Sequence, residues 1–316
     1  MKNFLQTTEC QALTAGVDFD AMAANEWLGN LNVSEASLQT YARALADFFR
    51  YKAQRGLTLA QIDRAALVDY LHNYLAGKST ATRALRCQAL KLFFEFLENA
   101  HNAKNVARGM KIKDATKGFK KEFLTVSQAK ALLAATDGES IQNKRDRAML
   151  AVMLTTGARV GEIQNADVGD LEKRGEQLVL KIRGKGHTEK DAFLKITPQV
   201  AGILASYLDA RGESTENTQS PLFQSHSNRT EGQRISRRAI SGIVKSTMRG
   251  QGIDSPLFTA HSLRHTAAVT ALENGASLAD TQIFLRHTSP TITMRYTHGI
   301  EARKNQCAER VANAFF

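Results

Sequence analysis

"EQLVLKIRGKGHTEKDAFLKIT", residues 176–197, is the stretch of this chain that carries a strand period. Leu178, Leu180 and Ile182 fall on alternate positions, a Gly-Lys-Gly turn region follows, and Ala192 to Ile196 return as a partner. The segments on either side repeat their apolar residues at three- and four-residue intervals instead, which is the period of a helix. The expected fold is therefore mainly α with a small β-sheet.

Upstream of the hairpin, "RDRAMLAVMLTTGARVGEI" (145–163) reads as a buried helix stopped near Gly157, then a turn into a second helix. Before it, "LTVSQAKALL" (124–133) sets Thr125 and Gln128 at capping-box spacing ahead of an apolar run. Downstream, residues 212–235 are polar and read as a long loop. Helical patterns resume at about 236–248, 261–274 and 277–286. A last helix at about 299–315 has Ile300, Ala308, Val311 and Phe315 on one side.

The first third of the chain is helical throughout. Leu38, Tyr41, Ala42, Leu45, Phe48 and Phe49 form one face, with Ser34 placed to cap the helix and Gly56 to end it. Leu67, Val68, Leu71, Tyr74 and Leu75 make a second stripe that closes at Gly77. Cys87, Leu90, Phe94 and Leu97 make a third, with Arg83, Arg86 and Lys91 mostly off that face. Between the two parts lies "AKNVARGMKIKDATKGFKK" (103–121), with seven Lys or Arg against one Asp. Such a segment suits a solvated linker or a strap along a phosphate backbone. The expected division is a helical domain at 1–102, a basic linker at 103–121 and a second domain at 122–316.

Bulk properties narrow the function. A chain of 316 residues suits two domains, and a net charge of +11 favours a polyanionic partner, nucleic acid or an acidic membrane surface. No run approaches the roughly 20 apolar residues that span a bilayer, and the first residues, "MKNFLQTTECQALTAG", lack the apolar run of a signal peptide. Cys10, Cys87 and Cys307 are scattered and form no CxxC pair, so neither a disulfide framework nor a thiolate zinc site is indicated. The expectation is a soluble protein of a reducing compartment, cytoplasmic and with no membrane partner.

Chemistry concentrates in four places. "TTGARVGEI" sets Arg159 and Glu162 three residues apart, neighbours on a helix. Lys185 sits in the hairpin turn. "HSLRH" places His261, Arg264 and His265 on one side of a helix. "FLRHTSPTITMRYTHG" (284–299) crowds Arg286, His287, Arg295, Tyr296 and His298 together with no acid. Each has a plainer reading: a surface ion pair, a charge at a hairpin tip, a packing tyrosine. His261 and His265 have the i, i+4 spacing of a zinc pair, but the glutamate of HExxH is missing and Arg264 would face a dication.

Together these groups meet the demands of phosphodiester transesterification. Arginines bind non-bridging oxygens bidentately and stay charged. A lysine in a turn can reach a leaving oxygen, histidines can move protons near neutral pH, and a tyrosine hydroxyl can attack. With cations in these positions no metal and no cofactor is required.

The order and spacing of Arg159, Lys185, "HSLRH", His287 and Tyr296 resemble the tyrosine recombinase (phage integrase) family over most of residues 122–300. The N-terminal helices resemble that family's SAM-like core-binding domain. The resemblance implies Arg159 and Arg264 as phosphate-clamping arginines, Lys185 as donor to the leaving 5′ oxygen, and Tyr296 as nucleophile. It matches His261 and His287 to the remaining catalytic positions, with Glu162 and His265 in support. Arg43, Arg83, Arg86, Lys91, Lys111, Lys113, Lys120 and Lys121 become candidate DNA contacts.

The implied activity is site-specific recombination of double-stranded DNA through a 3′-phosphotyrosyl link, without metal or ATP. Four protomers would act on two sites, as a homotetramer or a heterotetramer with a related recombinase. The C-terminal helix would dock on a neighbour in that ring. The layout is closest to Xer-type and transposon-resolution enzymes, and integration, excision and multimer resolution all stay open. A type IB-like topoisomerase, which relaxes DNA without pairing sites, and a non-catalytic DNA-binding regulator are the alternatives. Relaxation of site-free plasmids and the absence of a covalent adduct, respectively, would distinguish them.

Overall fold

The strand period at the centre of the sequence does fold as a sheet, but with one strand more than the hairpin expected. In the computed structural model, β1 (Leu171–Arg174), β2 (Gln177–Ile182) and β3 (Ala192–Ile196) form an antiparallel sheet in the order β1-β2-β3. β2 and β3 pair with Leu180 opposite Leu194 and Leu178 opposite Ile196. β1, "LEKR", has no apolar alternation. The turn at Gly175, in the left-handed region at φ 59, folds it back so that Arg174 faces Gln177. Arg174 then stacks its guanidinium over Phe193 at 3.6 Å from the ring centroid.

The residues described are 18–112, 122–184, 189–212, 218–294, 296 and 312–315, in two units divided between Gly118 and Phe119. Lys185, Lys113, Lys120 and Lys121, and the C-terminal helix apart from 312–315, lie outside them.

The first unit is helical. It contains α1 (Asp18–Asn30), α2 (Glu35–Gln54), α3 (Arg64–Asp69) and α4 (Thr80–His101). Ser34 and Ser79 cap α2 and α4 through their side chains, and Asp63 caps α3. α1 was not expected from the sequence, yet it buries Ala23, Ala24, Trp27 and Leu28, and its Asp20 pairs with the buried Lys52 of α2. The core is largely aromatic, with Phe48 edge-on to Tyr70 and Phe94, and Trp27 edge-on to Phe93. The stripe at 67–75 is not one α-helix. After Asp69 the chain widens into a π turn, Tyr70–Tyr74, closed by Leu75 N–H to Tyr70 O at 3.0 Å. Leu67, Leu71 and Leu75 stay buried while Val68 is exposed. Residues 103–112, read as the start of a linker, pack on this unit through buried Ala107 and Met110.

The second unit holds α5 (Val126–Ala134), α6 (Ile141–Thr156), α7 (Val160–Gln164), the sheet, α8 (Pro198–Arg211), α9 (Arg237–Gly250), α10 (Ala260–Glu273) and α11 (Leu278–Leu285). The capping box at Thr125 and Gln128 forms. α6 is the central element. Its Ala148 to Met153 are all buried, and it packs against α8 and α10. Leu180 and Ile182 of β2, Leu194 and Ile196 of β3, and Leu204 of α8 complete that core. The loop after α8 is anchored from below: Tyr207 donates to or accepts from His226 at 3.2 Å, and Arg211 donates to the carbonyls of Pro221 and Leu222.

Candidate active site

The α6–α7 turn builds the first part of the site. Gly157 ends α6 at φ 61, and Arg159 is the cap residue of α7. Glu162, nearly buried, accepts from the Arg159 backbone N–H at 2.8 Å and from its guanidinium at 2.7 Å. The pair is not the exposed surface bridge that the sequence alone permits.

α10 supplies the second arginine. Arg264 is 1% exposed, the largest fully buried side chain described. It donates Nη1 to Gly157 O at 2.6 Å and Nη2 to Leu285 O. Burial, and after it the charges of Arg159 and Arg286, pull its pKa down to about 9, so it is still a cation at neutral pH. A buried charge held by neutral carbonyls and faced by like charges is costly, and an anion would relieve that cost.

The end of α11 closes the cluster. Its cap residue, Arg286, adopts the left-handed conformation at φ 55. The carbonyl of Arg286 accepts from Arg159 Nη2 at 3.3 Å, so consecutive carbonyls of residues 285 and 286 hold Arg264 and Arg159. The Arg286 guanidinium reaches Glu162 Oε2 at 3.1 Å. In the sequence Arg286 belongs to the basic cluster at 284–299, and no motif gives it a role. Its partner lies 124 residues away, and no local pattern reveals such a pair.

Tyr296 is buried, packed with Ala268, Val269 and Leu285. Its hydroxyl lies 2.8 Å from His265 Nδ1, so a ring protonated on Nε2 accepts from it. Three rings surround the approach to it. His265 is tilted at 5.2 Å from the tyrosine ring, His261 sits edge-on to His265 at 4.5 Å, and His287 lies parallel to Tyr296 at 6.2 Å. The histidine that meets the tyrosine oxygen is thus His265, which sequence reading places in support, while His261 is exposed at the helix start. His287 binds Thr293 Oγ1 at 2.8 Å, and burial, then Arg264, Arg159 and Arg286, push its pKa down to about 4. It is a neutral base at pH 7.

Of the expected set, Arg159, Glu162, Arg264, His265, His287 and Tyr296 come together with His261 beside them. Lys185 lies outside the described residues. The strands that flank it are set, and Lys190, at the return of the hairpin, is tied to Asp167 at 2.7 Å and to Asp170. In the first unit Arg43 is exposed, whereas Arg86 is mostly buried and paired with Asp47 at 2.5 Å. Arg83 and Lys91 are half-buried, and Lys111 is exposed.

Residues 122–303 match the phage integrase family, and residues 25–101 match the phage integrase N-terminal SAM-like domain. Tyrosine recombinase XerC of Herpetosiphon aurantiacus is 32% identical over 88% of this chain and 91% of its own length. Tyrosine recombinase XerD of Xanthomonas axonopodis pv. citri is 33% identical over 84% of this chain and 87% of its own. Among solved structures, the XerH site-specific recombinase bound to palindromic difH substrate in a post-cleavage complex shares the fold. It has a TM-score of 0.72 and 20% identity, covering 96% of this chain and 93% of that one.

Proposed function

This chain belongs to the phage integrase family of site-specific tyrosine recombinases, and on that premise we propose that Tyr296 is its nucleophile, acting within the Arg159–Arg264 phosphate clamp. The observation that carries the assignment is a cluster of guanidiniums, Arg264 buried, Arg286 mostly buried and Arg159 half-buried, beside a tyrosine hydroxyl. Arg159, Arg264 and Arg286 face the single carboxylate of Glu162 among the described residues, which is an excess of positive charge out of water. Such a site favours an anion, and a phosphodiester presents two oxygens that arginine forks fit.

In the proposed reaction the Tyr296 oxygen attacks the scissile phosphorus and the bond to the 5′ oxygen breaks. Arg159 and Arg264 stabilise the charge on the non-bridging oxygens. Lys185 protonates the leaving 5′ oxygen. The Tyr296 hydroxyl already donates to His265 Nδ1, so that ring is placed to take the proton as the oxygen attacks, with His261 and His287 assisting at the phosphate. The freed 5′ hydroxyl then attacks a partner strand's phosphotyrosine and regenerates Tyr296. The bond energy stays in the covalent link, so the cycle uses neither metal nor ATP.

The chain works in the cytoplasm on double-stranded DNA. It assembles as a tetramer on two sites, with itself or with a related recombinase. Arg43, Arg83, Lys91 and Lys111, with Lys113, Lys120 and Lys121, contribute phosphate contacts. Arg86 is bound to Asp47 and contributes less unless that pair opens.

The test uses a labelled duplex pool of randomised sequence carrying a nick that traps cleavage. Wild-type protein should leave DNA-linked protein on a denaturing gel in the presence of EDTA, and sequencing the captured DNA yields the site. Tyr296→Phe should bind and trap nothing. Arg159→Ala and Arg264→Ala should each lose about 2–4 kcal/mol of transition-state stabilisation. A normal adduct from Tyr296→Phe, or an adduct that EDTA abolishes and zinc restores, overturns the reading.

A further inference from the structure

Among the described residues of the arginine cluster, Arg286 is the one that the transesterification scheme leaves without a task, and its position is costly in three ways. Its backbone is left-handed at φ 55, a region an arginine seldom occupies. Its side chain is mostly buried, and burial, opposed by Glu162 and reinforced by Arg159, lowers its pKa. Its Nε–H, buried, has no hydrogen-bond partner among the described residues. Nη1 donates to the nearby Phe284 carbonyl at 2.8 Å. What it gains over distance is Nη2 to Glu162 Oε2 at 3.1 Å.

That contact changes the charge of the clamp. Glu162 binds Arg159 through both the backbone N–H and Nη1, and its side chain is 4% exposed. Were this pair alone, the carboxylate would cancel the arginine, and a phosphate approaching Arg159 would meet a neutral couple. A second guanidinium on the other carboxylate oxygen makes the group a triad with one positive charge left over. Glu162 can then orient Arg159 without neutralising it.

We propose that Arg286 is a positioning residue of this active site, the counter-cation of Glu162 that leaves the charge of Arg159 to the DNA phosphate. The inference rests on the recombinase reading and adds to it a third arginine with a defined partner. It makes a specific demand. Arg286 should matter only while Glu162 carries its negative charge.

The left-handed backbone allows a clean variant. Arg286→Gly removes the guanidinium while keeping the conformation that aims the carbonyls of residues 285 and 286 at Arg264 and Arg159. Adduct formation would be timed on the captured DNA site with wild type, Arg286→Gly, Arg286→Lys, Glu162→Gln and the Arg286→Gly/Glu162→Gln double variant, with circular dichroism as a check on folding. Arg286→Gly should slow the covalent step roughly 10- to 100-fold, with half-site affinity little changed. Arg286→Lys, which restores the charge, should recover much of it. Glu162→Gln should cost less in the Arg286→Gly background than in wild type, the signature of a coupled pair. Wild-type rates for Arg286→Gly, or losses that simply multiply in the double variant, would overturn the proposal. If Arg286→Gly does not fold, a folded Arg286→Lys variant as slow as Arg286→Met would do the same. A wild-type protein that forms no adduct at all would instead strike at the recombinase chemistry, so the two failures are distinguishable.

Discussion

His287 illustrates how the arginines of this site act on a neighbour before any DNA arrives. Its ring is half-buried, bonded to Thr293, and faced by Arg264, Arg159 and Arg286, and its pKa falls to about 4 from the ordinary 6.5. The sign of the linkage follows. As pH falls from about 6.5 toward 4, the unfolded chain takes up a proton at this position and the folded chain does not, so folding stability declines across that window. Above it the contribution is flat. In the DNA-free protein the His287 ring resonances should therefore stay unchanged from pH 8 to about 5.5, and His287→Gln should weaken the acid-side loss of stability. A His287 midpoint near its ordinary value would show that the ring is neither buried nor faced by the arginines as described. Bound phosphate, by neutralising those arginines, should move the midpoint upward.

The helix termini matter more to the site than the helix bodies. Arg264 is held by the carbonyl that ends α6 and by one that ends α11, and Arg159 by the next carbonyl of the same α11 terminus. A helix C-terminus carries unpaired carbonyls and partial negative charge, so it is a natural seat for a buried guanidinium. Gly157 is required twice over. It adopts φ 61, and a Cβ there would stand 2.7 Å from Leu285 Cδ2. Gly157→Ala should cost about 1–2 kcal/mol for the left-handed backbone alone, with a further loss from the clash against α11. Urea denaturation would read the first effect and the covalent-adduct rate the displacement of Arg264. Unchanged stability would mean that the turn can rearrange freely, which the close packing does not suggest.

At the level of the whole chain, the two units have separate cores, one dominated by aromatic rings and one built around α6. The basic segment at 103–121 joins them, and its described part, up to Ile112, folds onto the first unit through Ala107 and Met110. Charge removal at Lys111, Lys113, Lys120 and Lys121 should weaken binding to every DNA sequence and flatten its salt dependence by roughly one unit of slope per lost phosphate contact. Titrations of the quadruple variant at several salt concentrations provide the measurement. An unchanged slope would identify the segment as a tether that DNA does not touch.

Much of this was legible in the residues. Caps at Ser34 and Thr125, the stop at Gly157 and the β2–β3 pair each depend on chemistry within a few positions, and short-range chemistry is written in order along the chain. The spacing of arginine, lysine, histidine and tyrosine was likewise enough to indicate phosphate chemistry. α1, whose Ala23, Ala24, Trp27 and Leu28 repeat at helical spacing, did carry a signal. β1 was not legible, because "LEKR" has no apolar alternation, and the π turn was not, because its stripe carries the period of an α-helix and widens only where it meets the core. Nor was the pairing of His265, rather than His261, with the tyrosine oxygen. That choice depends on how α10 is rotated against a segment 31 residues further on. The tie between Arg286 and Glu162 needed packing to bring two distant turns together, since an ion pair is set by distance in space and leaves no trace in distance along the chain.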